Sequence, residues 1–461
     1  MASEIPKPDP IIHVAVLAFP FGSHAAPLLS LVRRLSVTTV ASTVFSFLNT
    51  SRSNETIFPC KDGVPNVLVC DVEDGWPKGH APSGNSIEQV EMFLRATPEN
   101  FLKVLEEAEE IWGRKIGCLI SDAFLWFAGE FAAEREVPWL PLWTAGPRSL
   151  LVHLETDLIR RNLGDEGGLD EDKTLDFLPG CSEIRKSDLP AGVLITSQGS
   201  KPSPFPDLLH KMGLNLPKAT AVLINSFHEI DPKISNHLKT RLQKFLNIGP
   251  LTLTREPSPQ PEPVLDRTGC LEWLSKLEPA SVVYISFGSV ITLPPHEIAA
   301  LVEALEETGF PFLWSIRGNS VQLLEGKCSS LRNGKVVSWT PQVEVLKHSS
   351  VGAFVTHGSW NVILESIVGG VPLICRLFFR DQRMNVRTVE AVWGIGVGVE
   401  GGVITKEGIV KDLRRVLLDG EGKEMRERIR ALKKLAYEAV EDGGNFTEDF
   451  NDLVKIVTKA Q

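Results

Sequence analysis

Residues 339–382 read WTPQVEVLKHSSVGAFVTHGSWNVILESIVGGVPLICRLFFRDQ, and their reading decides the fold. VGAFVT (351–356) is a compact apolar run that predicts a buried strand, with HGS as the turn that follows it. WNVILESIVGG reads as a short helix closed by the paired Gly369 and Gly370. VPLICR (371–376) then predicts a second buried strand, which completes a βαβ unit.

A strand that runs straight into a helix leaves the N–H groups of the first helical turn without partners. With the helix dipole, those groups make a seat for phosphate. His357 and the amides of Gly358 to Asn361 lie at that seat. Asn361 and Glu365 are four residues apart and share one helix face, where a carboxylate can accept hydrogen bonds from both hydroxyls of a ribose. Trp339 offers a flat ring on which a base can stack, and Asp381 and Gln382 can read the hydroxyls of a group attached to the nucleotide. The competing reading is a βαβ unit that carries no ligand.

The stretch resembles the plant signature box of the UDP-sugar glycosyltransferases, which opens W-x-P-Q, carries H-C-G-W-N-S and a later Glu, and closes in Asp-Gln. The resemblance implies donor contacts from Trp339, Thr340 and Gln342 at its start and from His357, Ser359, Trp360, Asn361, Val362 and Glu365 at the helix tip. At its end it implies Asp381 and Gln382, the glutamine matching the glucose-using pattern. The chain departs from the box at Gly358-Ser359, where the family has Cys-Gly, at Val362, where it has Ser, and at Arg380, where it has Gly. Valine cannot give a diphosphate oxygen the hydroxyl hydrogen bond that serine gives, a loss of about ten- to a hundred-fold in affinity or rate. Ser359 keeps its amide provided the backbone there does not need a positive φ.

At 461 residues the chain is too long for one core and predicts two domains. A net charge of −10 argues against nucleic acid and anionic membrane as partners, since both call for a basic surface. MASEIPKPDP shows no basic start followed by an apolar run, and no apolar stretch approaches the roughly 20 residues of a membrane span. The seven cysteines form no CxxC or Cys/His cluster, so neither disulfides nor zinc are expected and a reducing cytoplasm fits.

IIHVAVLAFPFGSHAAPLLSLVRRLS (11–36) predicts a strand, a break at Pro20 and Gly22, and a helix with Pro27 in its first turn. That puts His24 at the carboxyl edge of a parallel sheet, where open α/β sheets bind ligands. The positive helix end beside it favours a neutral imidazole, able to accept a proton. GCLISDAFLWFAGEFAAE (117–134) repeats the pattern with Asp122 at the junction. A carboxylate there can fix the tautomer of the histidine and stabilise the imidazolium, or it can simply cap the next helix.

AFPFGSHAAPLLSLVRRL, SDAFLWF and WLPLWTAGPRSL (139–150) resemble one subgroup, the flavonol and anthocyanidin 3-O-glucosyltransferases, and the resemblance continues through LPKATAVLINSFHEID, TGCLEWL and SVVYISFGS. It implies His24 as general base, Asp122 as its partner, Thr144 as a contact to the sugar and Ser289 as a contact to the diphosphate. On the acceptor side it implies His153 against a flavonoid hydroxyl, with Phe124, Phe205 and Phe379 as walls. Gly22 stands where the family has a small polar residue, and Ile87 aligns loosely with an acceptor-contacting glutamine. Core packing is the competing explanation for the aromatics.

GDEGGLDEDKT (164–174) predicts a surface loop whose Asp170-Glu171-Asp172 has the D-x-D spacing of a metal site, but no buried strand leads into it, so no metal is expected. WGIGVGVEGG (393–402) lacks the spacing of a dinucleotide fingerprint and reads as strand and turn. TREPSPQPEPVLD, with prolines at 257, 259, 261 and 263, is the linker.

The expected architecture is α/β: two doubly wound, Rossmann-like domains facing across a cleft, the arrangement called GT-B. Residues 1–250 form an acceptor domain, 251–266 a linker, 267–440 a UDP-sugar domain and 441–461 a helix that crosses back. The expected reaction is metal-independent, inverting transfer of glucose from UDP-glucose to a flavonoid hydroxyl by a cytoplasmic monomer. Two other readings stay open: a homologue that binds flavonoid or UDP without turnover, and an enzyme whose Arg380 pairs the carboxylate of UDP-glucuronic acid.

Overall fold

The computed structural model describes residues 11–21, 24–58, 64, 66–76, 86–164, 171–190, 192–194, 204–254, 266–288, 291–316, 333–378 and 381–459. Of the features read above, Gly22, Asp170, Ser289, Phe379, Arg380 and the prolines of the linker lie outside these residues, as do the side chains of Ile87 and Asp381.

Two parallel sheets organise the chain. The first contains β1 (Ile12–Leu17), β2 (Thr43–Thr50), β3 (Val67–Val72), β4 (Ile116–Asp122), β5 (Trp139–Trp143), β6 (Val222–Ile224) and β7 (Phe245–Asn247), in the order β3-β2-β1-β4-β5-β6-β7. The second contains β8 (Val282–Ser286), β9 (Phe312–Ser315), β10 (Gly334–Val337), β11 (Val351–Thr356), β12 (Leu373–Cys375) and β13 (Gly396–Gly398), in the order β10-β9-β8-β11-β12-β13. Each sheet starts in the middle, winds outward to one edge and returns to continue on the other side. The reversal falls between β1 and β4 in the first sheet and between β8 and β11 in the second, and such points open a crevice at the carboxyl ends of the strands.

The inner strands β1, β4, β5, β8 and β11 are mostly apolar and buried because both faces of each sheet are covered there, whereas the edge strands β3 and β10 are partly exposed. Val14 and Val16 of β1 pack with Leu28 and Leu31 of the helix Ala25–Thr38, while Ala15 and Leu17 pack on the opposite layer with Phe93 and Phe101 of the helix Ser86–Trp112. In β8, Val283 and Ile285 face the helix Pro295–Thr308 and Val282 and Tyr284 face the other layer. The final helix, Asn445–Thr458, lays Phe446, Phe450, Leu453 and Val457 on the first sheet, not the second. The Arg34 guanidinium sits 4.8 and 4.7 Å from the Phe446 and Phe450 ring centres, and Lys244 pairs with Asp452 at 2.7 Å.

The strand expected over 371–376 is shorter, Leu373–Cys375, since Pro372 has no N–H to give a ladder. The glycine-rich run 393–402 supplies the edge strand β13 and three positive-φ glycines, Gly394, Gly401 and Gly402. Asp122 does not cap a helix: the next one, Ala128–Glu134, begins six residues later.

Candidate active site

Leu17 of β1 lies opposite Ser121 of β4, so both strands end at one level and their following residues share the first crevice. His24 stands just before the helix Ala25–Thr38 and Asp122 is the last residue of β4. Nδ1 of His24 lies 2.8 Å from Oδ2 of Asp122 and 3.0 Å from Oγ1 of Thr144, the residue after β5. A carboxylate only accepts, so Nδ1 is the donor toward Asp122, with Thr144 at its side, and Nε2 is the ring nitrogen left for another group. Asp122 is buried at 1% exposure and is itself steadied by the Phe124 N–H, which donates to Oδ1 at 2.9 Å. The imidazole, 19% exposed, rests against Phe124 at 4.5 Å and Phe19 at 5.1 Å between ring centres.

His153, on the helix Pro147–Leu154, is buried beside Trp143, and burial pushes its pKa down to about 4, so it is a neutral hydrogen-bonding group at pH 7. Phe205 is half-buried against the core of the first domain.

The second crevice is built the same way. Ile285 lies opposite Val355, and a Cβ on Gly288, just past β8, would stand 3.4 Å from the His357 ring. His357 is buried and its pKa is likewise pushed down to about 4 by loss of solvent. The helix Trp360–Gly369 follows, with Ser359 as its N-cap at φ −72° and Gly358 at φ +72°. The left-handed residue is therefore the glycine, and Ser359 sits in ordinary extended backbone. Gly370 closes the helix at φ +81°.

Val362 turns its side chain into the cluster of Tyr284, Phe354 and Val371, so it neither blocks the helix tip nor reaches a ligand except through its backbone. The Trp360 indole also points away, donating to the carbonyl of Asn225 at 2.8 Å and packing where a Cβ on Gly146 would come within 2.8 Å. Asn225 follows β6 and Gly146 follows β5, so the carboxyl edge of the first sheet meets the helix tip of the second across the cleft.

Glu365 accepts from Nε2 of Gln342 at 2.6 Å, Oε1 of Gln342 accepts from the Tyr284 hydroxyl at 3.0 Å, and that hydroxyl lies 2.7 Å from Oγ1 of Thr340. Gln342 and Thr340 thus aim the carboxylate. Trp339 stays 42% exposed at the mouth. Gln382 is buried, and its Oε1 accepts from the Phe378 N–H at 2.9 Å, which ties Phe378 to the helix Asp381–Arg387.

Two participants went unread in the sequence. Tyr284 shows only as a hydroxyl midway along an apolar strand, and Asn225 as the first polar residue after AVLI. Among the described residues no three His, Cys, Asp or Glu side chains gather as a metal site requires, and Asp172 of the acidic loop is paired with Arg185 at 3.0 Å. No described helix is long and apolar enough to cross a membrane, and the described cysteines are unpaired.

Comparison with known proteins bears on this arrangement. Residues 275–436 match the family model described as "UDP-glucoronosyl and UDP-glucosyl transferase". The chain is 50% identical to a flavonoid 3-O-glucosyltransferase of Medicago truncatula, over 97% of each chain. It is 51% identical to a flavonol 3-O-glucosyltransferase of Actinidia chinensis var. chinensis, again over 97% of each. Among solved structures, a UDP-glucose: anthocyanidin 3-O-glucosyltransferase in complex with UDP superposes with a TM-score of 0.89 at 40% identity, covering 97% of this chain and 99% of that one.

Proposed function

Since the chain belongs to the UDP-glycosyltransferase family, we propose that it transfers glucose from UDP-glucose to the 3-hydroxyl of a flavonoid, a flavonol or an anthocyanidin. The observation that carries this reading is the apposition of the two crevices: an imidazole held by a buried carboxylate on one side, and a helix tip with bare amides on the other.

In the proposed reaction Nε2 of His24 takes the proton of the acceptor hydroxyl while Asp122 holds Nδ1–H and stabilises the imidazolium. The acceptor oxygen forms a bond to the anomeric carbon as the bond from that carbon to the UDP oxygen breaks, so the configuration inverts. UDP leaves with the bonding pair, and its charge is met by the first-turn amides and by His357, which donates as a neutral imidazole. Glu365, aimed by Gln342, takes the ribose hydroxyls, and Trp339 takes the base. No step calls for a metal. The acceptor occupies the side of residues 1–250, with Phe124 and His153 about it, and the donor that of 267–440. One chain supplies both halves of the site, which suits a monomer, and free thiols suit the cytosol.

Mixing the protein with UDP-glucose and a flavonol such as quercetin tests this directly. A 3-O-glucoside is expected, and it should vanish with His24→Ala. Absence of any glycoside beyond that background would leave a protein that only binds.

A further inference from the structure

Asn225 touches neither proposed substrate, yet three of its groups are committed. Its Oδ1 accepts from the Leu251 N–H at 2.9 Å, its Nδ2 donates to Oδ1 of Asn361 at 3.2 Å, and its carbonyl accepts from the Trp360 indole at 2.8 Å. The residue is 5% exposed, and a Cβ on Gly249 would stand 2.4 Å from its Oδ1, so the carboxamide is closely held. The chain of donors runs one way. A backbone N–H can only donate, so Asn225 must turn its oxygen to Leu251 and its NH₂ to Asn361. Asn361 must then answer with its own oxygen, and its NH₂ is left for another acceptor at the helix tip.

We propose that Asn225 is a positioning residue: across the domain interface it fixes the Asn361 carboxamide so that NH₂, not oxygen, meets the anionic diphosphate of the donor. This rests on the donor site proposed above. It also ties the grip on UDP to the apposition of the two domains, because one residue of the first domain holds two consecutive residues of the donor helix.

Asn225→Asp is the telling variant. It is nearly isosteric and keeps an oxygen for Leu251, but it puts a second oxygen opposite Oδ1 of Asn361, so that amide must turn over and present its oxygen to the phosphate. UDP affinity, measured calorimetrically, should fall about ten- to a hundred-fold, with quercetin binding in the absence of UDP unchanged. The loss should shrink to twofold or less in an Asn361→Ala background, where there is no amide to invert. A loss that persists in that background is simple charge repulsion and overturns the proposal, as does an Asn225→Asp protein that binds UDP like the parent. If the aspartate variant does not melt cooperatively, Asn225→Ala takes its place in the same cycle, with a smaller but equally Asn361-dependent loss expected. Unaltered UDP binding by Asn361→Ala alone, or none by the parent, would instead overturn the donor site itself.

Discussion

The two crevices occupy the same place in two sheets of the same winding, and each presents a histidine, yet the histidines differ in kind. His24 lies against a buried carboxylate and a threonine hydroxyl and keeps a partly open face. Among the described residues His357 has no carboxylate hydrogen bond; its ring is enclosed, meets the Thr356 hydroxyl at 3.5 Å, and is held neutral by burial. A carboxylate that holds one ring nitrogen makes the other a better base, whereas burial without a counter-charge makes an imidazole a poor one and leaves it an N–H donor. Position in the fold supplies the crevice, and the neighbours decide its chemistry.

The strongest way to break this comparison is at the carboxylate. Asp122→Asn should lower kcat by about a thousand-fold or more, because an amide can stabilise the wrong tautomer and cannot support the imidazolium. Steady-state rates with UDP binding measured alongside would check it: a matching loss of UDP affinity would show that the residue serves the fold and not the base.

At the other crevice, Glu365→Gln should raise the KM for UDP-glucose about ten- to a hundred-fold with kcat little changed, since ribose is bound alike in the ground and transition states. An equal fall in kcat would move Glu365 from binding to chemistry.

Stability against pH sharpens the contrast further. His153 and His357 have folded pKa values near 4, below the unfolded value near 6.5, so the unfolded chain binds more protons between those limits. Stability is complete above about pH 6.5 and falls as pH drops toward 4, by about 2 kcal/mol per histidine at pH 5. Urea melts at pH 7.5 and 5 should show this, and His357→Gln or His153→Gln should each remove one share of the slope.

The smallest effect separates the two altered residues before the donor helix. Gly358→Ala must hold φ +72° with its Cβ 3.0 Å from Val386 and should cost about 1–2 kcal/mol. Ser359→Ala, in extended backbone with no side-chain cap hydrogen bond, should change stability by less than about 0.5 kcal/mol.

Much of this was legible in the chain. VGAFVT is β11 from end to end, WNVILESIVG is the donor helix, β4 ends on Asp122, and His24 stands between β1 and the helix that follows it. Buried parallel strands announce themselves because both faces must be apolar, and a glycine must close a helix where φ turns positive. The departures from the family box at 358, 359 and 362 could be named from the sequence, but not what each residue does in the fold. There, Gly358 takes the left-handed turn, Ser359 needs none, and Val362 fills the core.

What the sequence determined by itself was therefore local and periodic: strands, helices, the turn residues, and two junctions able to bear a histidine. That Asp122 comes within hydrogen-bond reach of His24 and that Tyr284 and Gln342 aim Glu365 was decided by packing within each half, and that Asn225 reaches across to Asn361 only by packing of one half on the other. Those partners lie 98, 58, 23 and 136 residues apart. Hydrogen bonds act over about 3 Å and carry no mark of chain separation, so only packing can bring their ends together.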